Sequence, residues 1–242
     1  MNSSSRYLSI IFIFVFIISC HNQKPPGDKG LSPEEIQFVS KFKNQLLIKI
    51  TNRSINLKEI EVNSEEDIIP VDGSPVRPVV YDRLISTKHM EVQHKKSLFI
   101  SQLLPQILIA RFYLQQEKDM LETILDSKEI ETGNFSDQKA FINKQLLKHD
   151  AENTTDLLQK LTPHPTSIIL AQAAIESNWG SSISYSQANN PFHILSVKRS
   201  EPRLKTFGGD DEIIYLKKYD YLPGTILDYF RNINQQERFK RF

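Results

Sequence analysis

With one cysteine, eight glycines and one tryptophan among 242 residues, several broad classes of protein are excluded at the outset. The lone cysteine, Cys20, rules out an intrachain disulfide. Glycine falls well below its usual share of about 7%, which argues against a glycine-rich phosphate loop. The Gly208-Gly209 pair lacks Walker or dinucleotide spacing and reads as a turn. Charge of one sign is missing too. The 30 Lys+Arg and 29 Asp+Glu leave +1, so no general field draws the chain to nucleic acid. The six histidines are scattered, without acidic or cysteine partners at metal-ligand spacing, and neither a metal nor another cofactor is expected. The N-terminal apolar run is about a dozen residues, short of the about 20 that a membrane-spanning helix needs.

That short run is informative in itself. Arg6 precedes "YLSIIFIFVFIIS", and Cys20 follows at once. A charged start, a short apolar core and a small residue before a boundary are the parts of an export signal. "FIISC" resembles a bacterial lipobox, with Ile17 where Leu is more usual. On that reading Cys20 is the lipidated first residue of a protein anchored in the bacterial cell envelope on the periplasmic side. A diacylated cysteine anchors stably where one acyl chain does not. The alternative is an ordinary signal peptide with an incidental cysteine. "HNQKPPGDKGLSP", His21 to Pro33, then reads as a flexible tether.

Ser32-Pro33-Glu34-Glu35 predicts a helix start, with a Ser cap, Pro in the first turn and early acids. Four prolines between Glu65 and Leu84 predict an extended connector. A helical period follows over roughly Thr87–Asp126, which Pro105 should kink or divide. Another helix is expected over Ser136–His149, and a last one from near Pro223. Between them "NPFHILSV", "RLKTF" and "EIIYLKKY" read as short strands, with "GGDD" at 208–211 turning between the last two. The chain thus divides into a signal segment, 1–20, a tether with an N-terminal helical and extended segment, 21–86, and a mostly helical α+β domain, 87–242.

The stretch "AQAAIESNWGSS", Ala171 to Ser182, carries the chemistry. Thr166 or Ser167 is expected to cap a helix that Gly180 stops near Asn178. Nearly every residue from Ile168 to Ile175 is apolar or Ala, so the helix should be buried on most sides. Glu176 lies in its last turn, four residues from Gln172 on one face. Burial and the negative end of the helix dipole both disfavour an ionised carboxylate. A raised pKa is therefore expected, which suits a general acid. The plainer alternative is a glutamate reaching from a helix end into water. Trp179 reads equally as a core anchor or a sugar-stacking platform. The amides of "ANNPF", Ala188 to Phe192, either hold a sugar or make Asx-turns.

"LAQAAIESNWGSSISYSQANNPFHI" resembles the "AxAAxESxWGxSxxAxxxNNLFGI" pattern of bacterial glucosaminidases of glycoside hydrolase family 73, the Bax-type group above all. "LKKYDYLPGTILDYFRNIN" is similar to that group's "RxFDSxxxAVxxYxxNLN", and a weaker likeness runs back to about Thr87. The resemblance implies a lysozyme-like fold, α+β and mostly helical, with a small β-element after the catalytic helix. It implies cleavage of β-1,4 bonds beside N-acetylglucosamine in peptidoglycan or related glycans. By position, Glu176 matches the general acid and Tyr219 an aromatic position that, where Tyr, assists near the cleaved bond. Trp179, Asn190 and Phe192 match positions that shape the substrate cleft. For Tyr219 the alternative is packing on the last helix.

Hydrolysis also needs water activated on the opposite sugar face, by a base or by the substrate's own acetamido group. Glu201, Asp210, Asp211 and Glu212 lie in the expected β-element, and the resemblance favours the triplet 210–212 for a second acid. Pro191 and His193 depart from the family's Leu and Gly. A glycine there allows close approach or an unusual dihedral; a histidine either crowds the sugar or touches it. The family continues with "YSERG"-like sequence beyond the last segment, so the domain is expected to be short at its C-terminus. Two rivals follow: a non-catalytic glycan-binding or scaffold lipoprotein of the same fold, and a lytic transglycosylase, from which the "ESNWG" and "NNPF" pair points away.

Overall fold

A helix of 35 residues, α1 (Val92–Asp126), contributes more of the core than any other element. At 1.5 Å per residue it is about 52 Å long. The computed structural model describes residues 56–73, 75–126, 136–208 and 212–234; the expected export signal, Cys20, the tether and the helix from Ser32 lie outside them. Leu98, Phe99, Leu103, Ile107, Ala110 and Leu114 recur every three or four residues on α1 and are buried, as a helix facing one core requires. Pro105 sits inside this helix without dividing it. By length and composition α1 could cross a membrane, yet most of its apolar window is packed inside the fold. It begins later than its periodicity suggests. The Thr87 hydroxyl donates to the Trp179 carbonyl and its N–H to that of Gly180, and Glu91 accepts the Gln93 and His94 N–H groups that open the helix.

The connector before α1 belongs to the same core. Strand β1 (Lys58–Ile60) pairs in parallel with β2 (Val79–Tyr81), Lys58 opposite Val79. Val62, Ile68, Tyr81 and Leu84 are buried with the α1 residues. Two buried glutamines of α1 join it to the helix. Gln102 accepts the Ile85 N–H at 2.7 Å, and Gln106 donates to the Val79 carbonyl at 3.0 Å. Each satisfies a backbone group that would otherwise be buried unpaired.

Beyond α1 come α2 (Ser136–Lys148), α3 (Thr154–Lys160), α4 (Thr166–Ser177), α5 (Ile183–Ala188), strands β3 (Arg203–Phe207) and β4 (Ile213–Lys217), and α6 (Leu222–Asn234). The architecture is mostly helical α+β, with α1 packed on α4, α6 and β2. β3 and β4 form an antiparallel hairpin from Arg203–Lys217 to Phe207–Ile213, as their alternation predicts. "NPFHILSV" is not a strand; it contributes a single bridge, Leu195 to Leu216. Short α5 was not expected. Its start is set by Ser182, whose side chain caps the Tyr185 N–H.

Two expectations for α4 are corrected. Pro165 holds the cap position, its carbonyl accepting from the Ile169 N–H, and no side chain caps the helix. The helix is also buried on one side only. Ile169, Ala173 and Ser177 form the covered stripe, whereas Ile175 is 72% exposed. An all-apolar composition says that any face tolerates burial; it does not say which face a neighbour will cover, and here that neighbour is α1.

The fold is closed around the site by one amide. Asn189, buried and in left-handed backbone at φ 51°, accepts the Leu84 N–H at 2.9 Å and donates to the carbonyls of Asp82 and Tyr219 at 3.0 and 2.8 Å. Replacing Asn189 by Ala leaves these three groups without partners and adds an unfavourable dihedral, so a loss of about 3–4 kcal/mol is expected. Asn189→Gly keeps the dihedral easy and should lose about 1 kcal/mol less. Urea unfolding midpoints of the two variants test both numbers; equal midpoints would show that the backbone conformation contributes nothing.

Candidate active site

The site forms where α4 ends. Ser177 accepts from the Gly180 N–H at 2.9 Å and donates to the Ala173 carbonyl at 2.6 Å. Asn178, Trp179 and Gly180 then take positive φ in succession, 49°, 56° and 81°. Gly180 is required by more than its dihedral. A β-carbon there would lie 3.1 Å from the Tyr185 ring and 3.2 Å from the Thr87 hydroxyl. This tight reversal leaves Glu176, one turn before it, at the open end of the helix.

Glu176 is 43% exposed, and its Oε2 lies 3.7 Å from His193 Nδ1. The side chain is thus only partly covered, and it lies in the last turn of α4 as expected. His193 itself has φ 51°. That explains the glycine of the family pattern as a dihedral requirement. The histidine neither fills a core position nor is isolated, because its imidazole turns to the acid.

Behind this pair lies Tyr229 of α6. Its ring stacks on Phe192 at 4.1 Å between centroids and 20° between planes. Among the described residues its buried hydroxyl has no hydrogen-bond partner. Burial, and then the negative charge of Glu176, push the Tyr229 hydroxyl far above its ordinary pKa. Tyr229 was assigned no role from sequence, although it occupies the Tyr of the "AVxxYxxNLN" pattern; that position was the available signal. Glu176, His193, Phe192 and Tyr229 are thus brought together.

The other expected residues are placed as follows. Trp179 meets Phe99 edge-on at 5.5 Å, and Lys96 Nζ lies 5.3 Å from its ring centre; it is half-buried and packs against the core. Asn190 is corrected. It is fully buried, donates to the Ile194 and Lys217 carbonyls and accepts the Ile194 N–H. With both ends of its amide so occupied, it fastens the loop to β4 instead of meeting a sugar. Asn189 bonds only distant segments, whereas Asn190 closes a local loop onto Ile194, four residues on, and also reaches Lys217.

Tyr219 is buried, and its hydroxyl donates to Asp228 Oδ2 at 2.7 Å. No hydrogen bond or ion pair joins it to Glu176 among the described residues. Lys217 Nζ lies 2.6 Å from the same Asp228 oxygen, and Arg231 lies 3.5 Å from the other. Burial opposes charge on Asp228, but the hydrogen bonds of Lys217 and Tyr219 and the charge of Arg231 outweigh it, holding this carboxyl below its ordinary pKa. Burial and the adjacent Asp228 carry the Tyr219 hydroxyl far above its own.

Glu201 is also committed. It accepts the Val197 and Lys198 N–H groups at 3.1 and 3.2 Å and faces Lys217 at 3.7 Å. Burial works against its charge, yet the hydrogen bonds from Ser196 and these backbone groups lower its pKa. Glu212 is exposed at the foot of β4, its carbonyl closing the hairpin with the Gly208 N–H at 2.7 Å; Asp210 and Asp211 lie outside the described residues. Among the described residues no group of His, Cys, Asp and Glu is arranged to hold a metal ion.

An exposed carboxylate at a helix end, backed by stacked aromatic rings and a clamped loop, is an arrangement that can donate a proton to a bound polar ligand. Residues 151–242 match the glucosaminidase family model, described as mannosyl-glycoprotein endo-beta-N-acetylglucosaminidase. No curated protein and no solved structure matches the chain. The matched segment runs from just before α3 through α6 and contains Glu176, His193 and Tyr229. Residues 151–242 therefore form a glucosaminidase-like domain, a match that supports the glycoside hydrolase class in general.

Proposed function

We propose that the chain is a cell-wall glycan hydrolase, an endo-β-N-acetylglucosaminidase that cleaves β-1,4 bonds of peptidoglycan with Glu176 as general acid. The observation that carries the reading is the placing of Glu176. It is a carboxylate open to a ligand, at the C-terminal end of a packed helix, inside the segment that matches the glucosaminidase family. In the reaction Glu176 protonates the leaving glycosidic oxygen while the C–O bond breaks. Water then bonds to the anomeric carbon and releases a proton, so a glycosidic bond and water give two hydroxyls.

A second carboxylate on the far face of the sugar ring is the usual partner in this chemistry. Glu201 is held by backbone N–H groups and Lys217; the family resemblance favours Asp210, Asp211 and Glu212 as the source. Tyr219 acts from behind the site: through Asp228 it fixes the part of α6 from which Tyr229 projects. Cys20 would anchor the protein in the bacterial envelope by a lipid, on the strength of "FIISC".

Incubation of the full chain with purified sacculi should release N-acetylglucosamine reducing ends. Glu176→Gln should lower the rate by about 10²–10⁴; wild-type rates from this variant would remove Glu176 from the mechanism, and anhydro-muramyl ends would replace hydrolysis by transglycosylation. Tyr219→Phe deprives a buried carboxylate of a donor and should cost about 1–3 kcal/mol in unfolding free energy. If Tyr219 is a support, turnover per folded molecule then stays within a few-fold of wild type; a loss like that of Glu176→Gln would place its hydroxyl at the bond. Cys20→Ser should move the protein from the membrane to the soluble fraction, and unchanged fractionation would exclude the lipid anchor.

A further inference from the structure

Two neighbouring lysines lie beside the reversal that ends α4 with no carboxylate to answer them. Lys95 and Lys96, near the start of α1, are partly buried. Lys95 Nζ donates to the Ser181 hydroxyl at 2.7 Å, and Lys96 Nζ lies 5.3 Å from the centre of the Trp179 ring. Among the described residues neither ammonium group forms an ion pair. The nearby acids are committed elsewhere. Glu91, one turn before Lys95, accepts the Gln93 and His94 N–H groups, and Glu65 bonds His94 Nε2 at 2.5 Å. Lysine is rarely covered unless it is paired. An ammonium that leaves water without a counter-charge loses hydration that a hydroxyl or a ring face only partly replaces.

The pair is held in place close to the candidate acid. Thr87 binds the carbonyls of Trp179 and Gly180, which fastens the approach to α1 against the reversal after Glu176. Trp179 and Ser181, which the lysines touch, come three and five positions after Glu176. Phe99 meets the Trp179 ring edge-on at 5.5 Å and supports it under Lys96.

We propose that Lys95 and Lys96, with Trp179 and Ser181, form a subsite for the carboxylates of peptidoglycan's peptide stems; the inference rests on the reading of the chain as a cell-wall glycan hydrolase. A polymer of N-acetylglucosamine alone is neutral and gives an ammonium nothing to pair with. In peptidoglycan the alternate sugar carries a lactyl group and a peptide, which brings carboxylates beside the glycan chain. A carboxylate accepts charge-assisted hydrogen bonds, and both ammonium groups have donors left for it. The lysine stems and the Trp179 face suit the alkyl part of the peptide. Lys95 and Lys96 thus set which glycan is held, and no bond forms or breaks at them.

The test is equilibrium binding to sedimented sacculi of the full chain carrying Glu176→Gln, which halts turnover. Three preparations separate the sources of negative charge: intact sacculi, sacculi with their carboxylates converted to methylamides, and sacculi freed of phosphate polymers by hydrofluoric acid. Intact sacculi should bind about tenfold more tightly than amidated ones, as one charge-assisted hydrogen bond supplies. That margin should shrink as salt rises. Removal of phosphate should change nothing. Lys95→Gln with Lys96→Gln should erase the margin between intact and amidated sacculi. Lys95→Arg with Lys96→Arg keeps both charges and should retain it. Urea midpoints establish that each variant is folded before its binding is read.

A margin that survives the glutamine pair overturns the subsite, and so does the absence of any margin. Loss of binding on removal of phosphate would make the ligand a phosphate and overturn the carboxylate assignment. Cleavage of intact sacculi by the wild-type chain, beside no margin, overturns the subsite alone. A wild-type chain that neither binds nor cleaves sacculi overturns the cell-wall reading and the subsite with it.

Discussion

Everything at this site depends on the buried amide of Asn189. One side chain holds the connector at Asp82 and Leu84 and the start of the last segment at Tyr219. Its backbone carbonyl accepts the Thr225 hydroxyl on α6, and the Tyr219 N–H reaches back to the carbonyl of its neighbour Ala188. Segments more than a hundred residues apart in sequence are so brought to one point, with no disulfide and no metal among the described residues to do it. A buried amide suits the task because it offers both donors and an acceptor at fixed angles. A hydrophobic contact of the same size would hold the segments together but would not fix their register.

The next joint is the reversal after Ser177. The consecutive left-handed residues Asn178, Trp179 and Gly180 turn the chain within the span of one helical turn, and Thr87 binds the carbonyls of Trp179 and Gly180 from outside. The unfavourable dihedrals at Asn178 and Trp179 are thus offset by hydrogen bonds and by packing of Trp179 on Phe99. Strain of this kind persists where the surroundings over-determine the backbone. The same turn that ends α4 also keeps the Glu176 face uncovered, since the chain leaves towards α5 without passing over it.

How much of this can be read from sequence differs by residue, for physical reasons. The C-terminal bound of α4 was legible because Gly180 acts locally, and the β3–β4 hairpin because alternation and a turn are local too; the cap was misplaced, since Pro165 and not Thr166 or Ser167 holds it. Its exposed face was not legible. Coverage is decided by α1, which lies far away in sequence, and composition alone cannot say which side of an apolar helix a neighbour takes. Asn189 was misjudged for a related reason: Asn in a turn usually bonds its own neighbours, whereas Asn189 bonds Asp82, Leu84 and Tyr219 across the fold. His193 was read only as a departure from glycine. The positive φ that makes glycine usual there was inferable; that the imidazole would face Glu176 required the fold.

The two carboxylates nearest Tyr229 show how one small region separates structural from chemical work. Asp228 is buried and surrounded by Lys217, Tyr219 and Arg231. Its charge is held below the ordinary carboxyl range, and a group so held gives a stable anchor and a poor acid. Removing its proton-donating partners would leave a buried charge, which is why it fastens β4 to α6. Glu176 is partly exposed, with His193 Nδ1 3.7 Å from its Oε2. Sorted by the environment that sets their charge, Asp228 belongs to the framework, and Glu176 is the carboxylate left open to a ligand.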